Sequence, residues 1–178
     1  MLPVIETPRL RLRAIGIEDV AELYAVFSDP EVVRYWSRPP LTDLAEAVVM
    51  IERERSIDGG SMLQWGIVRT DEDRLLGTCT LADIDLAHRR ASLGYALGRD
   101  SWGQGIAREA VRALIRYGFE ALELHRIGAD VDPRNTRSLR MLEELGFSRE
   151  GLQRESYLVG DEWQDAVLFG LLRREWAG

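Results

Sequence analysis

Trp102-Gly103-Gln104-Gly105-Ile106-Ala107 joins an apolar, strand-like run to a long amphipathic helical pattern. Two glycines one residue apart let main chain approach main chain or ligand closely, because neither carries a Cβ. A helix beginning there leaves its first N–H groups unpaired and presents the positive end of its dipole. Such a junction can cradle a phosphate or pyrophosphate. It reads equally as a packing turn, so the flanking sequence has to decide.

Upstream, Leu10, Leu12 and Ala14 alternate with arginines as a first strand. Helical spacing follows from Gly16 to Ser28 and ends at Asp29-Pro30, and a short second helix carries Val32, Val33 and Tyr35. Thr42-Asp43 opens a third helix expected to run to about Ile57 and stop at Gly59-Gly60. The period then changes. Met62 to Arg69 and Leu75 to Ala82 read as a hairpin, and Ala91 to Leu97 as the strand entering the glycine turn. Beyond the turn, Ala110, Val111, Leu114, Ile115, Phe119 and Leu122 form one helical stripe. A strand over Ile127–Val131, a helix over Ser138–Leu145 and strands over Gln153–Val159 and Gln164–Leu172 complete the chain. With no linker or repeat, residues 1–178 are expected to form one α+β domain with a mixed, mostly antiparallel sheet of six or seven strands.

The 178 residues suffice for a real core, and 46% hydrophobic with 30% charged content is that of a globular protein. No window approaches ~18 uninterrupted apolar residues, so no membrane partner is expected. The N-terminal residues lack a basic segment followed by an apolar run, so no signal peptide is read. One cysteine, Cys79, suits a reducing compartment, and a cytoplasmic location is expected. A net charge of −7 argues against nucleic acid as a partner and tilts toward a cationic one such as an amine. Arg9, Arg11 and Arg13 read as a solvated strand face rather than a phosphate patch.

Rival readings of the turn fail on particular residues. A dinucleotide-binding unit needs a third glycine where Arg108 stands. No Gly-Lys-Ser/Thr follows for a phosphate loop of the Walker type. His88 and His125 are the only histidines, no ligand pair appears, and no metal is expected.

Four spaced motifs remain: Gly94-Tyr95-Ala96-Leu97, the glycine turn, Asp132-Pro133-Arg134-Asn135-Thr136-Arg137-Ser138, and Leu145-Gly146-Phe147. Together they resemble the GNAT N-acetyltransferases. More narrowly, with Thr7-Pro8-Arg9 at the start and Trp163-Gln164-Asp165 near the end, they resemble the branch that acetylates ribosomal-protein N-termini (the RimJ/RimL type).

The resemblance implies a GNAT fold in which two parallel strands splay apart and the cosubstrate acetyl-CoA pairs with the exposed edge. Its pyrophosphate would rest on the turn, through Trp102, Gly103, Gln104, Gly105, Ile106, Ala107 and Arg108. Tyr95, Ala96 and Leu97 would meet the cofactor arm, with N–H groups near Leu97 steadying the oxyanion. The family signature starts with Gln or Arg where this chain has Trp102, which touches side-chain assistance and not the main-chain cradle. Asn135 would bond the arm and Ser138 would protonate the leaving thiolate, although by chemistry alone both residues read as a helix cap and its first turn. Tyr157 is a second candidate acid. The base is open: the strand before the turn carries Ser92 where relatives carry an acid, and Glu155 stands one residue from the expected place. Tyr35, Trp36, Arg38 and Trp65 are candidate walls for the acceptor, Trp36 reading equally as packing. The implied function is acetyl transfer to a primary amine in a ternary complex, most naturally a protein or peptide N-terminus such as that of a ribosomal protein. A small-molecule or antibiotic acetyltransferase and a non-catalytic CoA sensor are the alternatives. A homodimer is compatible with the family.

Overall fold

The computed structural model describes residues 2–55 and 61–178. The expected helix stop at Gly59-Gly60 lies outside the described residues. In chain order the elements are β1 (Ile5–Glu6), β2 (Leu10–Arg13), α1 (Val20–Phe27), α2 (Pro30–Val33), α3 (Leu44–Arg55), β3 (Leu63–Arg69) and β4 (Leu75–Asp85). They continue with β5 (Arg90–Leu97), α4 (Ile106–Glu120), β6 (Arg126–Val131), α5 (Thr136–Glu144), β7 (Ser148–Val159) and β8 (Glu162–Leu172). One sheet takes the order β1-β2-β3-β4-β5-β6-β8-β7. Its eight strands are the expected set plus β1, whose two residues are too few to show a period.

Among the described residues only β5 and β6 run parallel. Such a pair needs a crossover, and α4 is that crossover. The helix buries Ile106, Ala110, Val111, Leu114, Ile115 and Phe119 along one stripe against the sheet. It sits close: a Cβ added at Gly118 would stand 3.0 Å from Ile127 Cδ1.

The sheet divides two cores. On one face α4 and α5 cover residues including Leu93, Leu97, Ile127, Ala129 and Phe169. On the other, α1, α2 and α3 gather Leu23, Phe27, Val33 and Ile51 with Val68, Leu75 and Ala96. Local signals set the helix starts. Asp29 accepts from the Glu31 N–H with Pro30 in the first turn of α2, and Asn135 caps α5, each such cap contributing about 1 kcal/mol. Gly146, at φ +93°, ends α5 as a left-handed residue.

Arg9, Arg11 and Arg13 are all paired: with Glu109, with Glu6, and with both Asp19 and Asp73. Burial would push the Asp19 carboxyl up, but the Arg13 guanidinium and the Gly16 N–H outweigh it and hold the group below its ordinary value. Among the described residues no helix is long and apolar enough to cross a membrane.

Candidate active site

The glycine turn is held open from behind. Gly103 and Gly105 take φ of +73° and +74°, a left-handed setting that glycine adopts without strain. Gly105 caps α4 with no side-chain acceptor, so the N–H groups of Ile106, Ala107 and Arg108 have no partner within the helix. A Cβ built on Gly103 meets nothing within 4 Å, so no protein atom crowds the turn there. The side chains of the turn brace it instead. Gln104 Nε2 donates to the Asp100 carbonyl at 2.7 Å, and Arg69 donates to Gln104 Oε1. Arg9 donates to the Gln104 carbonyl at 3.0 Å. Trp102 Nε1 donates to the Leu97 carbonyl at 2.6 Å, and the Arg137 guanidinium lies 5.3 Å from its ring centroid. Arg108 pairs with Glu144. The main chain of the turn thus fits an anion, whereas the expected side chains of Gln104 and Arg108 are engaged elsewhere.

The parallel pair splays. Its register stops at Ser92↔Gly128, although β5 runs on to Leu97 and β6 to Val131. Strand alternation turns the main-chain groups of Leu93, Tyr95 and Leu97 toward the gap, where all but the Leu97 carbonyl, already bonded to Trp102, need a partner. Ala96 is a correction to the expected set. Its carbonyl faces β4 beside Gly77, so its neighbours and not Ala96 offer main chain to the gap.

Ser138 is buried at the start of α5. The Asn135 side chain accepts from the Ser138 N–H at 3.2 Å, so its oxygen serves as the helix cap. Ser138 Oγ lies 2.6 Å from the Tyr95 hydroxyl. Burial pushes that phenol up, although the bond to Ser138 opposes the shift.

Across the sheet, Tyr157 donates to Asp130 Oδ2 at 2.8 Å, and burial followed by Asp130 pushes its hydroxyl up to about 12. With its proton committed to Asp130, Tyr157 tethers that carboxylate. Glu155 is not brought to the gap. The β7–β8 register slips between Gln153 and Tyr157, and Glu155 sits exposed in that bulge at φ +52°, its N–H donating to Asp165. A one-residue offset matters in a strand, and the bulge removes the alternation on which the expectation relied.

A carboxylate on the open face beside the split is that of Asp130, which belongs to none of the four spaced motifs. It stands on β6 two positions beyond the last parallel pair, on the face opposite Ile127. It stands at one end of an open cleft of about 300 Å³ over the paired stretch of β5 and β6, lined also by Asp83, Arg90, Ser92, Arg126 and Glu150. Its one sequence signal was alternation with buried Ile127, Ala129 and Val131, which reads as plain solvent exposure.

The proposed acceptor walls scatter. Tyr35, just past α2, lies 5.5 Å below the Arg34 guanidinium and 6.0 Å from that of Arg134, which ties it to the turn before α5. Trp36 packs edge-on against Phe27 at 5.1 Å. Arg38 donates to the Met50 sulfur at 3.3 Å. Trp65 is fully buried, with its indole N–H on the Pro3 carbonyl and its ring against Tyr117 of α4. It belongs to the core and lines no pocket, because β3 directs it to the α4 face.

Comparison with known proteins bears on the whole arrangement. Residues 9–148 match the acetyltransferase (GNAT) domain family. The chain is 41% identical over 179 residues to a Bacillus licheniformis protein named uncharacterized N-acetyltransferase p20, covering 99% of this chain and 100% of that one. It is 34% identical over 118 residues to the [ribosomal protein uS5]-alanine N-acetyltransferase of Escherichia coli, covering 66% and 61% of the two chains. A solved GNAT-family acetyltransferase from Bacillus anthracis superposes with a TM-score of 0.86 at 25% identity, covering 97% of this chain and 100% of that one.

Proposed function

The chain belongs to the GNAT acetyltransferase family and is an acetyl-CoA-dependent N-acetyltransferase, and from that premise we propose that its acceptor is the N-terminal amine of a protein or peptide. One observation carries the reading. Ser138 meets Tyr95 of β5 on the α5 side of the sheet, and Asp130 stands on the opposite face of β6, two positions beyond the last parallel pair. An acid and a carboxylate acceptor thus flank one gap whose edge can take an extended ligand.

The main chain of Gly103 to Arg108 holds the pyrophosphate, and the exposed edge of β5 aligns the thioester. The neutral amine attacks the thioester carbon. N–H groups at the Tyr95 and Leu97 edge stabilise the oxyanion. Once nitrogen is bonded to that carbon its proton is strongly acidic, and the Asp130 carboxylate receives it. The Ser138 hydroxyl supports the departing thiolate, whose ordinary pKa near ~8.5 makes it a tolerable leaving group.

Amine basicity favours this acceptor. An α-amino group with a pKa of about 7.7–8.0 is roughly a tenth neutral at pH 7, whereas a lysine at about 10.4 is neutral to well under a tenth of one per cent. With Asp130 as the only carboxylate assigned to the reacting nitrogen, the group that ionises less readily is the better nucleophile. The relative that acetylates an alanine of ribosomal protein uS5 supports the same acceptor class. Asp83 beside Asp130 favours a second reading, a small polyamine whose additional charge would meet the second carboxylate.

The test follows free thiol and product mass with acetyl-CoA and three acceptors: a short peptide with a free N-terminus, the same peptide N-blocked with an internal lysine, and a linear polyamine. The chain contains no lysine, so its own side chains add no background. Turnover of the free peptide alone is expected. A polyamine turned over while the free peptide stays inert would overturn the assignment.

A further inference from the structure

The 2.6 Å contact between the Tyr95 hydroxyl and Ser138 Oγ has a direction that the surroundings decide. Either oxygen could donate, and each carries one proton. Tyr95 packs its ring against the core beneath α4 and α5, and among the described residues Ser138 Oγ is the hydrogen-bond partner of its hydroxyl. A phenol proton withdrawn from water needs an acceptor, and leaving it without one is unfavourable. A phenol is also a stronger acid than an alkyl hydroxyl and so the better donor. Tyr95 therefore donates and Ser138 accepts. The proton of Ser138 is then left over, directed away from Tyr95.

We infer that Tyr95 is a positioning residue that sets the Ser138 hydroxyl so that its proton faces the β5–β6 gap. The inference rests on the role of Ser138 proposed above. Without Tyr95 the Ser138 rotor would have several staggered settings, only one of them aimed at the gap. The other anchor of Ser138 is main chain: its N–H is held by Asn135, which fixes the Cα and leaves the hydroxyl free to turn. Tyr95 supplies the missing constraint.

Tyr95 is not itself the acid. Its proton is engaged by Ser138 Oγ, so the proton free to face the departing sulfur is that of Ser138. In the reaction the new C–N bond forms, the C–S bond breaks, and its electron pair goes to sulfur. Ser138 passes its proton to that sulfur and is refilled from water. The proton lost by the amine leaves through Asp130 to water, so one proton is released and one taken up. Tyr95 keeps its own proton throughout.

Tyr95→Phe, Ser138→Ala and the double variant test this through initial rates of thiol release with a free-N-terminal peptide. For Tyr95→Phe, kcat is expected to fall roughly ten-fold, less than the ~10²–10⁴-fold of a whole acid–base contribution, because Ser138 itself stays in place. KM for acetyl-CoA and the melting temperature should stay close to wild type. The double variant should match Ser138→Ala alone, because Tyr95 acts only through Ser138. Unchanged kcat in Tyr95→Phe with an impaired Ser138→Ala would overturn the inference. So would a full additional loss in the double variant. An unimpaired Ser138→Ala would remove the role of Ser138 and this inference with it. Absence of thiol release by the wild type with every amine would mark failure of the functional reading itself.

Discussion

Asp130 and Glu155 show what a single position decides. Both are acids on late strands, and both stood within reach of the expected chemistry. Asp130 keeps strand geometry, so its side chain falls on the open face beside the split and is steadied by Tyr157. Glu155 falls in a bulge with a left-handed main chain and faces solvent. Replacing Asp130 by Asn preserves an oxygen to accept from Tyr157 and removes the proton acceptor. Turnover should then fall by about 10²-fold with CoA affinity unchanged, as the rate and the CoA dissociation constant measured separately will show. Equal loss in Glu155→Gln would contradict the assignment. At this scale the site was half legible. Asn135 and Ser138 were marked by the family resemblance, since their three-residue spacing at a helix start reads by itself as a cap and first turn. Asp130 was not, because an exposed acid alternating with Ile127 and Ala129 looks like any solvated strand position until the pairing of β5 and β6 is known to stop short of it.

Among the elements, the glycine turn and α4 form one unit with two unlike glycines. Both Gly103 and Gly105 are left-handed, so an alanine at either would strain the main chain by roughly 1–2 kcal/mol. That predicts a fall in melting temperature of a few degrees for each, about 2–4 °C per kcal/mol at this chain length. Their effects on binding should part. A Cβ at Gly103 meets no protein atom within 4 Å and so stands in space the phosphates would use, whereas one at Gly105 meets Arg9 Nη2 at 3.4 Å. Titration with CoA should show Gly103→Ala weakened by about ten-fold more than Gly105→Ala, on the order of 1.4 kcal/mol. Equal affinities would mean that the cradle is not where the phosphates rest. The helices and the inner strands were readable because each has a sustained period and a punctuating residue. Two features were not. β1 is two residues long, and most of β7 is an exposed edge strand that needs no apolar alternation to pair with β8.

For the molecule as a whole, function follows from one interruption in the sheet. Among the described residues seven neighbouring pairs tie eight strands together, and the parallel pair stops at Ser92↔Gly128 while both of its strands run on. Helices cover the split on the α4–α5 side, while α1 to α3 cover the opposite face only around β3 to β5. The molecule therefore has a closed side, where Tyr95 and Ser138 meet, and an open side, where Asp130 and Asp83 line the cleft. Order of elements and resemblance made this fold legible. The two-sidedness was not, since it depends on which strands are neighbours and on where helical cover ends, and Trp65 was misassigned for that reason. Amide hydrogen exchange with and without saturating CoA tests the central claim most directly. Protection should rise at Leu93, Tyr95 and Leu97 and from Gly103 to Arg108, with α1 and α3 unchanged. Exchange unaltered along β5 and the turn while CoA is bound would contradict the account.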